Sequence, residues 1–535
     1  MKYPKPILAV LILTCVTYAI SLKNDFVTYD DQVILTDNKI VQDFDVKAMF
    51  TEVSAFDFVP LTLLSFALEN KIFGKTPFIY HLDNLLLHLF NTALVFFLVI
   101  GLTGENLFIT MVSAALFGIH PMHVESVAWI TERKDVLFGA FYLLGLLQFL
   151  KFESEKKVKS YVLAFIFFIL SALAKPAAVS FPLVLFLISP HFKIRSILEK
   201  LPFFGVSLGL IFIHWSTHRV AILVGATPEI LSILRQALDS IVFYFSKLTV
   251  PTKLSAYYER GAVELGWLDY SIALAGFGFL VFTAVTKKNR RKIILGSLLF
   301  FLITLAPTFR IIPLSNNFLF ADRYTYLPSI GYTTALVSAM GERLTIKAIA
   351  GLITLIFSFM SMARIGVWQD GDILWNDVVT KYPKTSVGYY NIGVANYKRG
   401  INEKALEMFK KAISLNPSYL RALVSLALFY KEKSMWNESI VQYQRILEIQ
   451  PNDPASLLHM GICHFQKGSP KEAIGVFKTA TAIYPAFFEA HYNLGVVYYT
   501  MNDFAASKIE FLKTLEIEPS YQPAKDFLAR MHQTR

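Results

Sequence analysis

Long apolar runs separated by short polar connections fill residues 1–364 and predict a polytopic, all-α membrane domain. A helix needs about 20 predominantly apolar residues to cross a bilayer, and several of these runs are shorter. The first run is Ile7–Ser21. The other candidate spans, which bring the predicted total to about eleven, are Tyr80–Ile100, Leu107–Ile119, Val136–Phe152, Tyr161–Leu173, Ala177–Ile188, Leu201–Trp215, Trp267–Val285, Ile293–Ala306, Thr325–Met340 and Ile346–Ala363.

One further apolar stretch, Ile233–Val250, is interrupted by Arg235, Asp239 and Lys247. Because Lys and Arg gather in cytoplasmic connections, the basic clusters test whether this stretch crosses. The clusters are Lys151, Lys156, Lys157 and Lys159; Lys193, Arg195 and Lys200; Lys287, Lys288, Arg290, Arg291 and Lys292; and Arg343 and Lys347. All of them fall inside only if Ile233–Val250 is re-entrant or interfacial. The same topology places the first loop, residues 22–79, and the C-terminal region outside the cytoplasm.

The pattern changes near the end of the membrane domain, where prolines begin to recur every 34 residues, a period that indicates a helical repeat. The prolines are Pro383, Pro417, Pro451, Pro485 and Pro519. A small residue marks one position of each repeat, Gly393, Ala427, Gly461 or Gly495, and a large aromatic residue another, Phe409, Tyr443, Phe477 or Phe511. We therefore predict a linker over residues 365–382 and, over 383–535, four tetratricopeptide repeats with a capping helix from about Tyr521. Such a superhelix holds an extended peptide or a partner protein, or it serves as an assembly module without a ligand.

Composition supports a membrane protein, since 54% of the 535 residues are hydrophobic and only 17% are charged. The net charge of +11 would suggest nucleic acid for a soluble protein, but membrane orientation explains the basic loops without such a partner. The two cysteines, Cys15 and Cys463, lie far apart and give neither a disulfide framework nor metal-ligand spacing.

Adjacent carboxylates, Asp30 and Asp31, follow the first apolar run directly. Charge beside hydrocarbon is costly unless it is solvated, paired or used, so these residues are candidates for a catalytic base or a metal ligand at the outer surface. The alternative is a solvated turn.

Other polar residues interrupt apolar helices on the same predicted side. His81, Asn84 and His88 share one stripe of a helix, and His120, His123 and Glu125 lie in one loop. Two histidines and a glutamate this close could bind a metal or could form a polar network that organises the loop.

Four basic residues are assigned to the outer face against the charge bias: Arg133, Lys134, Lys175 and Arg323. An anionic ligand explains them together, because Arg binds phosphate bidentately and Lys acts as a compact charge. Each alone could instead snorkel to headgroups or pair with an acid such as Asp135 or Asp322. Acids at one helix exit and cations at others suggest a reaction on a lipid-linked phosphate.

The ordered series of motifs resembles the transmembrane and tetratricopeptide-repeat O-mannosyltransferase family, which are GT-C glycosyltransferases, and its bacterial relatives. The motifs are Tyr29-Asp30-Asp31, Pro60-Leu61-Thr62, Tyr80-His81-Leu82-Asp83-Asn84, His120-Pro121-Met122-His123-Val124-Glu125, Arg133-Lys134-Asp135, Ala174-Lys175-Pro176 and Ala321-Asp322-Arg323-Tyr324. They precede the repeats, and the resemblance covers essentially the whole chain. The chain departs from the family pattern at Val59, where we expect an Arg before the proline.

This resemblance implies a GT-C fold and an enzyme that moves a sugar from a polyprenyl-phosphate donor to an acceptor hydroxyl, such as that of a protein Ser or Thr, outside a bacterial inner membrane. It implies that Asp30 or Asp31 is the general base, and that Arg133, Lys134, Lys175 and Arg323 hold the donor phosphate. His81, Asn84, His88, His120, His123, Glu125 and Asp322 would form a supporting polar network.

Three questions stay open at this point. A divalent cation on Asp30 and Asp31 is possible, and no other cofactor is expected. The acceptor could be an envelope polysaccharide, which would make the chain a transferase or polymerase of glycans. A scaffold without enzyme activity, anchored by its membrane domain, is the alternative from another class.

Overall fold

A computed structural model describes residues 3–52, 58–189, 194–217, 230–309 and 318–533. The chain divides into two compact units, residues 1–383 and 384–535. As predicted, the architecture is all-α with C-terminal repeats; the described strands are one short antiparallel pair, β1 (Tyr258–Glu259) and β2 (Phe318–Phe320), with Tyr258 opposite Phe320.

The first unit contains 18 described α-helices. They are α1 (Pro4–Tyr18), α2 (Lys39–Gln42), α3 (Val46–Thr51), α4 (Pro60–Phe73), α5 (Pro77–Leu102), α6 (Leu107–Ile119), α7 (Val124–Ala128), α8 (Arg133–Glu155), α9 (Val158–Ala174), α10 (Phe181–Ile188), α11 (Ile194–Leu198), α12 (Leu201–Thr217), α13 (Ile230–Thr249), α14 (Trp267–Thr286), α15 (Arg291–Leu305), α16 (Pro328–Met340), α17 (Leu344–Val367) and α18 (Gly371–Lys381).

Seven helical segments among the described residues are long and apolar enough to cross a membrane. They are Pro4–Lys23, Pro77–Leu102, Ile130–Glu155, Ile194–Ile213, Trp267–Thr286, Arg291–Phe309 and Leu344–Val367. The pair Leu107–Ile119 and Pro121–Ala128, bent by 45°, raises the number to eight if it is one span. Val158–Ala174 and Pro176–Ile188 are shorter apolar helices. The total of about eleven and the re-entrant or interfacial role of Ile233–Val250, which lies in the 20-residue helix α13, stay predictions.

Helix α6 lies at the centre of the first unit, where it packs against α1, α5, α16 and α17. Gly118 allows α1 and α6 to pack closely, since a Cβ atom at this position would overlap the Thr14 hydroxyl of α1. A second tie joins α1 to α17, because the hydroxyl oxygens of Thr17 and Ser358 lie 2.6 Å apart. These contacts hold the N-terminal helix in the core of the unit.

The helices of the first unit bring their connecting segments together at one end. Backbone and side-chain bonds join residues 24–31 there to 129–131 and to 365–375, and they join 120–135 to 175 and 323. We call this the site end. The segment predicted as a linker, residues 365–382, contains α18 and belongs to the first unit.

The second unit consists of four helix pairs and a final helix, as the 34-residue period predicts. They are α19 (Ser386–Lys398) with α20 (Asn402–Leu415), α21 (Leu420–Glu432) with α22 (Trp436–Ile449), α23 (Pro454–Gln466) with α24 (Pro470–Ile483), α25 (Phe488–Thr500) with α26 (Phe504–Ile517), and α27 (Gln522–Gln533). In each of three pairs, a Cβ atom added to the small position would lie 2.5–2.9 Å from the aromatic ring of the large position. The predicted pairing of small and large residues is therefore confirmed for Gly393, Gly461 and Gly495.

Candidate active site

The two adjacent acids of the first loop differ in their surroundings. Asp31 is buried, with 1% of its surface exposed, and its carboxylate accepts from the Trp129 indole N–H at 2.9 Å and from the Val27 amide at 2.8 Å. The amide of Thr131 donates to the same carboxylate at 3.3 Å. Burial raises the pKa of Asp31 to about 7, although these hydrogen bonds oppose the rise. Asp30, by contrast, is half-buried.

Tyr29 joins the acidic loop to the loop of residues 120–135. Its ring stacks on Trp129, with centroids 4.7 Å apart and planes 6° apart. Burial raises the pKa of the Tyr29 hydroxyl, the charge of Asp30 raises it further, and the charge of Arg323 opposes the rise. Tyr29 therefore lies within electrostatic reach of both Asp30 and Arg323.

Arg323 lies beside Trp129, the residue that stacks on Tyr29 of the acidic loop. Its backbone amide donates to Glu125 Oε2 at 2.9 Å, its guanidinium pairs with the other oxygen of that carboxylate, and its Nε lies 3.2 Å from Glu132 Oε1. The guanidinium carbon lies 5.5 Å from the centre of the Trp129 ring. One arginine thus bridges two buried carboxylates and an aromatic face.

Lys134 and Lys175 complete this cluster. Lys134 Nζ lies 3.2 Å from Glu132 Oε1, and Lys175 pairs with Asp135 while its Nζ lies 3.9 Å from Glu132 Oε2. Of the predicted phosphate ligands, the structure therefore brings together Lys134, Lys175 and Arg323. Glu125, Glu132 and Asp135 balance their three positive charges, so we call these six residues the charge cluster.

Arg133 does not join the charge cluster, since successive residues of a helix point in directions about 100° apart. Its side chain is fully buried and pairs with Glu69. It also donates to Asn84 Oδ1 and to the Tyr80 carbonyl, both at 2.8 Å, and lies over the Phe66 ring. These contacts join α8 to α4 and α5, and they leave the predicted contact of Arg133 with a phosphate without geometric support.

The predicted polar network surrounds the loop of residues 120–130. Asn84 Nδ2 donates to the carbonyls of Val127, Trp129 and Ile130 at 3.2–3.3 Å. His88 Nε2 donates to the Gly118 carbonyl and its Nδ1 accepts from the Tyr326 hydroxyl, both at 2.9 Å. Asn84 and His88 thus bind backbone carbonyl groups at the end of α6 and in residues 127–130, where regular helical hydrogen bonding ends.

Three further histidines are buried at or near the site end. His120 Nε2 donates to the Leu248 carbonyl at 3.1 Å, and His123 Nδ1 donates to the Phe117 carbonyl at 2.7 Å. His81 is buried near the start of α5. Within the described ranges, no group of three or more His, Cys, Asp and Glu side chains is arranged to hold a metal ion. A cation on Asp30 and Asp31 stays a prediction.

Asp322 lies in a second polar group beside the charge cluster. Its carboxylate accepts from the Tyr258 hydroxyl at 2.6 Å, and its other oxygen lies 3.9 Å from an Arg364 nitrogen. Arg364 in turn pairs with Asp377 of α18 at 2.8 Å. Burial, and next the charge of Glu125, raise the pKa of Asp322 to about 7. Asp322, the neighbour of Arg323 in the chain, is thus linked through Arg364 to α18 at the end of the first unit.

Sequence reasoning missed several residues of this region, namely Tyr29 as a link, Trp129, Trp368, Trp375, and Glu69 as the partner of Arg133. Trp129, Trp368 and Trp375 are fully buried at the site end. A single buried tryptophan carries no periodic signal. Their role becomes visible only when segments about 100–350 residues apart in the chain come into contact.

Comparison with known proteins agrees with the repeats. Models described as "Tetratricopeptide repeat" match residues 386–419 and 488–521, and a model described as "TPR repeat" matches residues 464–502. Among solved structures, MamA is 22% identical with a TM-score of 0.26, and it covers 26% of this chain and 78% of its own. YrrB, described as "a TPR protein with an unusual peptide-binding site", is 20% identical with a TM-score of 0.28, covering 34% and 89%.

Longer similarity is found with proteins named protein O-mannosyl-transferases. The chain is 24% identical to F38B6.6 of Caenorhabditis elegans over 77% of this chain and 63% of that protein. It is 23% identical to human TMTC1 over 78% and 56%, and 24% identical to human TMTC4 over 74% and 64%. The chain therefore spans less than two thirds of the length of these relatives. The resemblance expected from the motifs is confirmed.

Proposed function

We propose that this protein is a membrane glycosyltransferase of the GT-C type that transfers a sugar from a polyprenyl-phosphate donor to a hydroxyl group of a protein. The observation that carries the proposal is the charge cluster beside the loop of Asp30 and Asp31. Basic and acidic side chains that are buried together at the end of a membrane domain cost free energy of folding, and they are typical of a functional site. The names of the relatives support the choice of O-mannosyl transfer among glycosyl transfers.

Asp30 is the general base in this proposal, and Asp31 positions it. Asp31 is enclosed by three N–H donors, so its carboxylate has no free face toward an acceptor. Asp30 is more exposed and lies within electrostatic reach of the Tyr29 hydroxyl, which also interacts with the charge of Arg323. A base must approach the attacking hydroxyl within hydrogen-bonding distance, which favours the more exposed of the two residues.

Arg323, Lys134 and Lys175 bind the donor phosphate. Their side chains are 10%, 13% and 13% exposed, whereas Arg133 is fully enclosed. An incoming phosphate would share these cations with Glu125, Glu132 and Asp135, which hold them in place while the site is empty. Preorganised cations stabilise the negative charge that develops on the leaving phosphate. Arg133 instead fixes the start of α8.

The reaction follows from these roles. The acceptor hydroxyl oxygen attacks the anomeric carbon, its proton passes to Asp30, and the bond from that carbon to the phosphate oxygen breaks with its electron pair leaving on the phosphate. One direct displacement inverts the anomeric centre. The chain's own groups suffice for each proton and charge in this scheme, so chelation with EDTA provides a direct test of whether a divalent cation on Asp30 and Asp31 contributes.

The repeats recruit the acceptor protein or a partner. The site end faces the extracytoplasmic side of a bacterial inner membrane, in agreement with the distribution of basic loops. Deletion of residues 384–535 is expected to keep sugar transfer to small acceptors and to reduce transfer to protein acceptors.

Transfer by the purified full chain tests the proposal, with a polyprenyl-phosphate mannose donor and Ser/Thr peptides in lipid nanodiscs. We expect sugar on peptide from the wild type and a loss of at least a hundredfold in Asp30→Asn, the scale of a lost general base. Asp25→Asn, in the same loop but exposed, is the matched control. Full activity of Asp30→Asn would refute its role. Sugar on glycan instead of protein would favour the polysaccharide transferase, and no transfer to any acceptor would favour the scaffold.

A further inference from the structure

The end of the last membrane helix and the segment that follows it are bonded to the acidic loop. Asn24 Nδ2 donates to the Ile365 carbonyl at 3.2 Å, and the Asp25 amide donates to the Gln369 carbonyl at 2.9 Å. Further along, the Trp375 indole N–H donates to the Thr28 carbonyl at 3.2 Å. Three successive bonds therefore run along the loop toward Asp30.

Aromatic packing reinforces these bonds. The Trp375 ring meets the Tyr29 ring edge to face, with centroids 5.2 Å apart, and Trp368 stacks on Trp129 with centroids 5.3 Å apart. Trp368 and Trp375 are both fully buried. Tyr29 is thus held between Trp129 of one loop and Trp375 of α18, directly before Asp30 in the chain.

Gly371 allows α18 to approach this closely. A Cβ atom at residue 371 would overlap the Thr28 hydroxyl and would lie 3.0 Å from both the Cβ and the amide nitrogen of Thr28. Neither of these last two atoms can rotate away, because they belong to the backbone and its first side-chain carbon. Gly371 and Trp375 therefore contact the same residue, two positions before Asp30.

The helix that carries Gly371 and Trp375 is fixed at both ends. Asp370 caps its start, since its side chain accepts from the amides of Asp372 and Ile373 at 2.9 Å. Near its end, Lys381 Nζ donates to the Leu254 carbonyl at 2.7 Å. A rigid helix can hold a catalytic loop within the small tolerance that proton transfer requires.

We propose that Trp375, with Gly371, is a positioning residue for Asp30, so that the active site includes the segment that leads into the repeats. The inference rests on the proposed function, in which Asp30 is the base. Trp375 holds the Thr28 carbonyl with its N–H and the Tyr29 ring with its edge. Both contacts set the direction of the backbone from which the Asp30 carboxylate projects.

The variant Trp375→Phe tests the hydrogen bond while keeping an aromatic edge on Tyr29. We expect kcat to fall on the order of tenfold, as for a small displacement of a catalytic group. KM for the donor is expected to stay within twofold, because the charge cluster is untouched. The matched control is Trp267→Phe, a change at a residue that is 79% exposed, and its kcat is expected to equal that of the wild type.

Steric coupling of Gly371 to Thr28 gives a second, independent test. Gly371→Ala is expected to lower kcat, and Thr28→Ala in the same chain is expected to restore part of it by removing the hydroxyl that the new methyl group overlaps. An effect on stability alone would lower the melting temperature and leave the kcat of the folded protein unchanged, whereas the positioning role predicts that kcat falls and recovers in the folded protein.

The results separate this inference from the proposed function. If the wild type transfers sugar and Asp30→Asn does not, while Trp375→Phe and Gly371→Ala both keep full kcat, the positioning role is refuted and the enzyme stands. A rise in donor KM without a fall in kcat also refutes it, since it would assign Trp375 to donor binding. Absence of transfer by the wild type refutes the proposed function, and the inference with it.

Discussion

The rings of Tyr29 and Trp129 stack with centroids 4.7 Å apart and planes 6° apart. This contact joins the loop that carries Asp30 and Asp31 to the loop that leads into the charge cluster. The Trp129 indole also donates to Asp31, and Arg323 lies over the same ring. Trp129 therefore contacts both the loop of the proposed base Asp30 and the proposed phosphate ligand Arg323.

Asp31→Asn is expected to change the pH dependence of stability. Burial raises the pKa of Asp31 to about 7 from an ordinary value of 3.8. The folded chain therefore keeps a proton that the unfolded chain has already released, so the stability from this group is full below about pH 4 and is lost as pH rises to about 7. Because asparagine does not titrate, the apparent melting temperature should decline less between pH 4 and 7 in this variant.

Melting curves in detergent at several pH values measure this difference. Other acids with a raised pKa, such as Asp322 and Glu69, contribute to the pH dependence of both proteins. The informative quantity is therefore the difference in melting temperature between the wild type and the variant at each pH. Asp25→Asn, an exposed change in the same loop, should follow the wild-type curve. Parallel curves for Asp31→Asn and the wild type would contradict the prediction.

Arg323→Lys is expected to reduce sugar transfer on the order of a hundredfold, the scale of a lost electrostatic donor at a developing charge. A lysine keeps the positive charge but lacks the planar fork with which the guanidinium contacts Glu125 and Glu132 in a fixed geometry. Initial rates at saturating acceptor, with the donor varied, measure the effect. The same change at Arg195, whose side chain is 88% exposed, is the control, and equal rates in the two variants would exclude a role for Arg323.

Arg133→Met is expected to destabilise the membrane domain by about 3–5 kcal/mol, the usual cost of removing one partner of a buried ion pair. Glu69 would lose its partner, and Asn84 and the Tyr80 carbonyl would each lose a donor. The double variant with Glu69→Met should recover part of this loss, since the buried carboxylate at position 69 is then absent, whereas Asp83, 3.8 Å from the Arg133 guanidinium, is half exposed. Unfolding by SDS in mixed micelles measures both, and an additive double variant would disprove the coupling.

Gly461→Ala is expected to destabilise the third repeat, because a Cβ atom there would lie 2.5–2.8 Å from three atoms of the Phe477 ring. Gly475→Ala, in the second helix of the same repeat, is the control. Position 475 is exposed and has open space for a Cβ atom, so alanine should stabilise that helix by about 0.5–1 kcal/mol. Hydrogen exchange of the full chain reports both changes locally. The free energy of local unfolding is expected to fall in Gly461→Ala and to rise in Gly475→Ala. A change of the same sign in both variants would refute the packing argument.

The sequence by itself determined the features that repeat or persist along the chain. The 34-residue period gave four helix pairs and a final helix, with Gly393, Gly461 and Gly495 against their aromatic partners. This succeeded because each of these contacts joins residues 16 positions apart, and the same spacing of a small and an aromatic residue recurs in every repeat. Apolar runs likewise predicted the described segments that are long and apolar enough to cross a membrane, since a span shows itself in its own composition, whereas Thr325–Met340 is not among those segments.

The tertiary structure alone decided which polar residues meet. Arg133 and Lys134 are neighbours in sequence, yet one faces Glu69 and the other Glu132. Asp30 and Asp31 are equally acidic, yet Asp31 is the one enclosed by N–H donors. The Trp375 indole donates to the carbonyl of Thr28, which lies 347 residues earlier in the chain. The direction of a side chain depends on how distant segments pack, and that packing leaves no periodic trace in the chain.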